Sequence, residues 1–290
     1  METGSAAEIA EALRGTGYLA DDALATVTFL ALRMQRPLLV EGEPGTGKTA
    51  LAEGIAAALD LPLIRLQCYE GIDATQALYD WDFPRQILHL RALEAAGSGA
   101  DVEEAEKSLY DERFLLARPV LAALQQSPAV LLVDEVDRAD DEFEAFLLEV
   151  LSTYQVTIPE LGTVAAATPP IVVLTSNRTR ELHDALKRRC LYQWIDHPGL
   201  EREVAIVRSR APEVSEELAR QVVGVVQRLR ETDLLKPPGV AETLDWARAL
   251  NHLGTTDLDL ESSARTLGAL VKYRDDATKV QHALDQMLRA

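Results

Sequence analysis

Cysteine is scarce here, with only Cys68 and Cys190 in 290 residues. Two thiols make no disulfide scaffold, and their spacing fits no metal-ligand pattern, so both are expected to pack as small apolar residues in a reducing compartment. The five histidines form no pair at ligand spacing, which removes a protein-built metal centre from the expectations. No apolar run approaches the length of a bilayer span, and Met1-Glu2-Thr3-Gly4-Ser5 is not the basic-then-apolar start of a leader. A cytoplasmic protein without a membrane span is expected. Positive charge is also short: 29 Lys and Arg stand against 47 Asp and Glu, a net charge of −18. Such a field repels phosphate backbones, and no basic stripe with interleaved aromatics compensates, so nucleic acid is not an expected partner and helicase readings lose weight. The acid excess is either a solubility device or a surface for a basic partner.

What is present is a chain of 290 residues with 47% hydrophobic content, enough for an α/β core and a smaller second core. Its most informative run is Gly42-Glu43-Pro44-Gly45-Thr46-Gly47-Lys48-Thr49, which fits G-x-x-x-x-G-K-[ST]. The apolar run Pro37 to Glu41 precedes it as a buried strand would, and helix formers follow from Thr49. A strand that feeds a glycine loop opening a helix turns backbone N–H groups and the positive helix end toward phosphates. Lys48 then reaches the β and γ oxygens, and the Thr49 hydroxyl can hold Mg²⁺.

About eighty residues on, Ala129-Val130-Leu131-Leu132-Val133 ends in Asp134-Glu135. A buried parallel strand delivers these carboxylates to the carboxyl edge of the sheet, where the phosphate loop is also expected. Asp134 would orient the Mg²⁺ water shell and Glu135 would polarise the attacking water. The bland alternative is an acidic start to a helix over Asp140 to Tyr154. A third run, Ile171-Val172-Val173-Leu174, ends in Thr175-Ser176-Asn177. Asn177 is placed either to hydrogen-bond that water or to cap its own backbone as a turn residue. A helix over Arg180 to Arg189 ends in Lys187-Arg188-Arg189, cations that serve either the helix dipole or a neighbouring subunit's γ-phosphate.

Phosphate loop, Asp-Glu strand, Asn strand and Arg-terminated helix, in this order, resemble an AAA+ ATPase over nearly the whole chain. The match is closest to the MoxR group of the helix-2-insert clade. It rests on the long segment between the second strand (Leu63 to Gln67) and the Asp-Glu strand, on Gln155 to Val164 reading as a hairpin, and on Ala185-Leu186-Lys187-Arg188-Arg189-Cys190. Among that group it looks most like the carbon monoxide dehydrogenase accessory ATPases encoded beside von Willebrand A-domain proteins.

The resemblance implies a P-loop AAA+ α/β core with a parallel five-stranded sheet over residues 1–197, followed by a smaller all-helical lid domain over 198–290. It implies ATP and Mg²⁺ as ligands, with Thr49 and Asp134 at the metal, and a homo-oligomer, in this family a hexameric ring. Arg189 is then the trans-acting finger and Arg188 its understudy. A von Willebrand A-domain partner and a client metalloenzyme would be served by a chaperone-like cycle. Two residues depart from the pattern. Ala241, flanked by Glu242, stands where a lid-helix Arg usually reads the nucleotide in cis, and Asp137 stands where relatives commonly carry Asn.

Beyond Asp196-His197-Pro198-Gly199 only helical patterns follow: Glu201 to Arg210, Ser215 to Arg230, Ala241 to Leu253, Leu260 to Lys272 and Ala277 to Leu288. Near the start, helices are expected at Ser5 to Arg14 and Asp21 to Met34. Tyr18 between them either touches a nucleotide base or is a buried aromatic. Trp81 and Phe83, beside the glycine-rich tip Ala96 to Asp101, are either contact residues of the insert or core. Two other classes remain. A nucleotide-dependent switch with little hydrolysis would fit Ala241. A small-molecule kinase shares the phosphate loop but needs neither Asn177 nor the Arg-ended helix. A GTPase is disfavoured because no Asn-Lys-x-Asp motif occurs.

Overall fold

The computed structural model describes residues 4–95 and 107–289. The glycine-rich tip Ala96 to Asp101 lies outside the described residues. The strands are β1 (Leu38–Gly42), β2 (Leu63–Gln67), β3 (Tyr79–Trp81), β4 (Leu115–Ala117), β5 (Val130–Asp134), β6 (Gln155–Ile158), β7 (Gly162–Ala165), β8 (Ile171–Ser176) and β9 (Leu191–Ile195). Five of them form one parallel sheet in the order β2-β5-β8-β1-β9. The continuous apolar runs become β1 and β5, buried at every position, and β8, buried at all but its first residue. A sheet covered by helices on both faces demands this of its central strands. The edge strands β2 and β9 are mixed in burial.

By its contacts the chain divides into two compact units, Val27–Val40 with Ile55–Gln193, and Met1–Thr26 with Glu41–Gly54 and Trp194–Ala290. The sequence reading cuts the chain at 197/198 and keeps the N-terminal helices and the phosphate loop with the sheet. The contacts group residues 1–26 and 41–54 with the helical tail instead.

In the first of these units the core gathers Leu39, Leu66, Leu121, Leu131, Val133, Phe143, Leu147 and Leu174 around the sheet. Removing each large side chain from water contributes about 1.5–3 kcal/mol. Cys68 and Cys190 belong to this core as free, buried thiols. Burial pushes both up to about 12, so they stay protonated and unreactive at neutral pH. The hairpin read from Gln155 to Val164 is the antiparallel pair β6 and β7. Trp81 packs against the core and meets Tyr79 and Tyr110 edge-on, with ring centroids 6.2 and 5.3 Å away. Phe83 stands 59% exposed, next to exposed Ile87 and Leu88.

The helix expected over Arg180 to Arg189 is shorter, Asp184–Arg189. Residues 179–183 are drawn out by bonds to the stretch from Asp137 to Glu144. Asp137 accepts the Thr179 N–H at 2.8 Å, the Arg180 Nε donates to the Ala139 carbonyl at 2.8 Å, and the His183 N–H donates to buried Glu144 at 2.8 Å. Each bond satisfies a group that helix geometry would point elsewhere.

In the other unit the helices Leu200–Arg210, Glu216–Arg230, Val240–His252, Leu260–Leu270 and Arg274–Arg289 enclose a second core around Val207, Val222, Val226, Trp246 and Leu250. Within it lies the ion pair of Glu203, fully buried, and Arg230, 8% exposed. Arg230 grips the carboxylate with two bonds of 2.6 and 2.7 Å, and Gln227 and Thr243 add one each at 2.7 Å. The Arg230 Nε donates to the Pro238 carbonyl at 2.7 Å, fixing the turn before the helix Val240–His252. Among the described residues no helix is long and apolar enough to cross a membrane.

Breaking a buried pair strands an uncompensated charge. Arg230→Met should therefore cost about 3–5 kcal/mol in urea denaturation. Arg220→Ala, which removes the exposed forked bond to Glu201, should leave the midpoint almost unmoved.

Candidate functional site

The phosphate-loop segment lies between β1 and the helix Lys48–Leu59. Gly45 and Gly47 hold φ values of +79° and +94°, a region where a side chain would be strained. Between them the Thr46 hydroxyl donates to the Glu43 carbonyl at 2.9 Å. Lys48 is buried, and its Nζ donates to the carbonyls of Gly42 and Glu43 at 2.8 and 2.7 Å. The ammonium is thus folded back over the loop at the start of a helix, a donor set suited to phosphate oxygens. His197 sits in the same field. Burial, reinforced by Arg230 and Lys48 and opposed by Glu203 and Glu43, holds its pKa below the usual imidazole value. Burial likewise pushes the Tyr18 hydroxyl up, against the opposing charge of Arg202, and Tyr18 packs close to Gly54.

The helix Val240–His252 begins against this loop. The Val240 N–H donates to the Gly45 carbonyl at 2.9 Å, and Glu242 turns back to accept the Gly239 N–H at 3.0 Å. Where the resemblance would place an arginine, the chain has Ala241 and a glutamate that caps its own helix. A Cβ on Gly239 would lie 2.7 Å from the Gly45 Cα, so the approach needs glycine on both sides.

The acidic group is built separately, at the carboxyl ends of β2, β5 and β8. Register pairs Gln67 with Asp134 and Val133 with Leu174, which brings one strand end to each side of Asp134-Glu135. Asp134 is buried and accepts the Thr175 hydroxyl and an Arg65 nitrogen, each at 2.5 Å. The Thr175 oxygen also accepts the Glu135 N–H at 2.9 Å. Glu135 adopts φ +55°. Its carboxylate receives Asn177 at 3.3 Å, Gln67 at 3.1 Å and Arg138 at 3.0 Å. Asp137 is buried and fixes the loop after β8 by accepting the N–H groups of Asn177 and Thr179 at 3.2 and 2.8 Å and the Thr179 hydroxyl at 2.7 Å.

Glu135 and Asn177, singled out in the sequence, are therefore in direct contact. Arg188 and Arg189 are exposed at the end of the helix Asp184–Arg189. Their side chains make no hydrogen bond or ion pair among the described residues. Arg65, Gln67, Thr175 and Arg138 were not read as functional. The signal for the first three was β-register: Gln67 pairs with Asp134, Thr175 follows the Val133–Leu174 pair by one residue, and Arg65 lies two residues before Gln67 on the same strand. Arg138 lies three residues after Glu135, inside a helical turn.

A family model described as AAA domain (dynein-related subfamily) matches residues 37–190, just over half the chain. An uncharacterized protein of Staphylococcus epidermidis is 22% identical over 227 residues, covering 76% of this chain and 78% of its own length. The mouse protein named nuclear valosin-containing protein-like is 26% identical over 160 residues, 53% of this chain and 14% of that protein. Among solved structures, a RuvB variant of Thermotoga maritima aligns with a TM-score of 0.48 at 16% identity, covering 91% of this chain and 70% of that one.

The contact of Gly45 with Gly239 generates a test. Gly239→Ala should break the Val240 to Gly45 hydrogen bond, read as faster amide exchange at residues 240–242. Gly254→Ala is the control, because it forces a side chain onto φ +74° where nothing lies within 4 Å. It should cost about 1 kcal/mol and leave that exchange unchanged.

Proposed function

The chain belongs to the AAA domain family, in its dynein-related subfamily, through residues 37–190, and from that premise we propose that it is an ATP-hydrolysing ring subunit whose cycle remodels or matures a client protein. The observation that carries the reading is the Asp134-Glu135 pair at a strand end, with Asn177 donating to Glu135, in a chain that also carries a complete phosphate loop. Lys48 and the loop N–H groups would hold the phosphates, and Thr49 and Asp134 would hold Mg²⁺. The metal, when bound, neutralises charge on the β and γ phosphates. Glu135 accepts a proton from the attacking water while Asn177 orients that water. The exposed Arg189, with Arg188 beside it, supplies positive charge to the γ-phosphate of a neighbouring subunit.

A second reading, a nucleotide-dependent switch with little hydrolysis, is favoured by Ala241 and by the self-capping Glu242, which leave no arginine at the lid-helix start. The two readings separate in one experiment. Lys48→Ala should abolish nucleotide binding. Glu135→Gln should bind ATP as tightly as the natural chain while phosphate release falls by roughly 100-fold or more, within the range that positioned proton-transfer groups supply. Equal rates for Glu135→Gln and the natural chain would remove Glu135 as the base and favour the switch.

For the client, the MoxR resemblance and the acidic surface support a protein rather than nucleic acid. We infer a hexameric, cytoplasmic ring that engages a von Willebrand A-domain protein, whose Mg²⁺ site accepts a carboxylate ligand, and that serves an enzyme awaiting its metal cofactor. Affinity capture with the ATP-locked Glu135→Gln form should enrich such a partner. Deleting the gene should leave a metalloenzyme made but inactive. Retention of DNA on the locked form, or a full complement of active neighbouring metalloenzymes after deletion, would overturn this assignment and leave the ATPase reading standing.

A further inference from the structure

The helix Asp184–Arg189 has only six residues, too few to persist on its own, yet it ends in the exposed cations Arg188 and Arg189. A charge that acts across a subunit boundary has to be held in place before the neighbour arrives, because a misplacement of about 1 Å can cost 100-fold in rate. The anchor comes from far away in the chain. Arg36 lies just beyond the helix Asp22–Met34 and before β1. It donates from Nε to the Arg189 carbonyl at 3.0 Å, and from one terminal nitrogen to the Arg188 carbonyl at 2.6 Å and the Cys190 carbonyl at 3.4 Å. The Leu191 N–H returns a bond to the Pro37 carbonyl at 2.8 Å, and the Tyr154 hydroxyl donates to the Gln35 carbonyl at 3.2 Å. One guanidinium thus collects three successive carbonyls that a helix end leaves without intrahelical partners.

We propose that Arg36 is a positioning residue for the trans-acting arginine, an inference that rests on reading Arg189 in that role. The planar fork of arginine bridges carbonyls in a fixed geometry that a lysine ammonium does not reproduce. Its charge complements the negative end of the helix. With their carbonyls held, Arg188 and Arg189 project from a fixed backbone while their side chains stay free for the neighbouring subunit.

The test uses full-length variants in steady-state ATP hydrolysis at saturating nucleotide. Arg36→Ala should bind a fluorescent ATP analogue with unchanged affinity and lose kcat by roughly 10- to 100-fold, and Arg36→Lys should recover only a minor part. In the Arg189→Ala background the Arg36→Ala change should cost nothing further. Mixing Arg36→Ala with Glu135→Gln subunits should restore turnover, because a sound base then meets a sound finger, whereas mixing Arg36→Ala with Arg189→Ala should not. A nitroxide carried on R189C should sharpen its spectrum when Arg36→Gln is added, even where the alanine variant folds poorly. Losses that multiply in the double variant, absence of rescue by Glu135→Gln, or an unchanged nitroxide spectrum would overturn the proposal. Wild-type turnover by Arg189→Ala alone would instead remove the finger reading on which the proposal stands.

Discussion

A carboxylate sealed from water has to be neutralised where it stands, and Glu203 is such a group. Arg230 and Gln227, one turn apart on the helix Glu216–Arg230, and Thr243 on the helix Val240–His252 converge on it. The helices Leu200–Arg210, Glu216–Arg230 and Val240–His252 are therefore tied at one point as well as packed along their apolar faces. The tie is directional where packing is not. Because Arg230 also holds the Pro238 carbonyl, the buried charge fixes the turn that sets Gly239 against Gly45. A hydrophobic trio of similar volume could stabilise the bundle as well, but it would not specify where the turn goes.

The acidic edge of β5 handles its charges differently. Asp134 is 4% exposed at its side chain, but its cationic partner Arg65 is 51% exposed. The donors around Glu135 are in part open as well, with Arg138 at 55%. Such partners are exchangeable, because a half-solvated guanidinium gives up an ion pair at little cost. Asp137, by contrast, engages both carboxylate oxygens with backbone and hydroxyl groups of residues 177–179, which makes it part of the frame. The place where the resemblance leads one to expect Asn is here a structural carboxylate that accepts from two N–H groups and one hydroxyl.

Much of this was legible in the sequence. Continuous apolar runs gave the central strands because strands covered on both faces cannot alternate; the phosphate loop was found by its residue pattern and the Asp-Glu pair as the end of one such run. The family membership agrees with that reading, and the MoxR affiliation goes beyond it. What escaped detection depends on register or on distant anchors. β9 carries the mixed pattern of an edge strand and was not read from the sequence. The helix over Arg180 to Arg189 was read too long because local propensity knows nothing of Glu144 and Asp137, which pull residues 179–183 out of helical geometry. Arg36 gave no local signal, since its three acceptors lie about 150 residues away.

Glu135 holds a left-handed backbone at φ +55°, a conformation that glycine adopts freely and other residues reach at a cost of about 1 kcal/mol. It also stands one residue from Asp134 and two from Asp137, so that three carboxylates share four positions. Drift under selection for foldedness alone would relax both burdens at once by placing glycine or a neutral residue there. Glutamate at position 135 is thus a cost to the fold, carried where a choice made for stability alone would put glycine or a neutral residue.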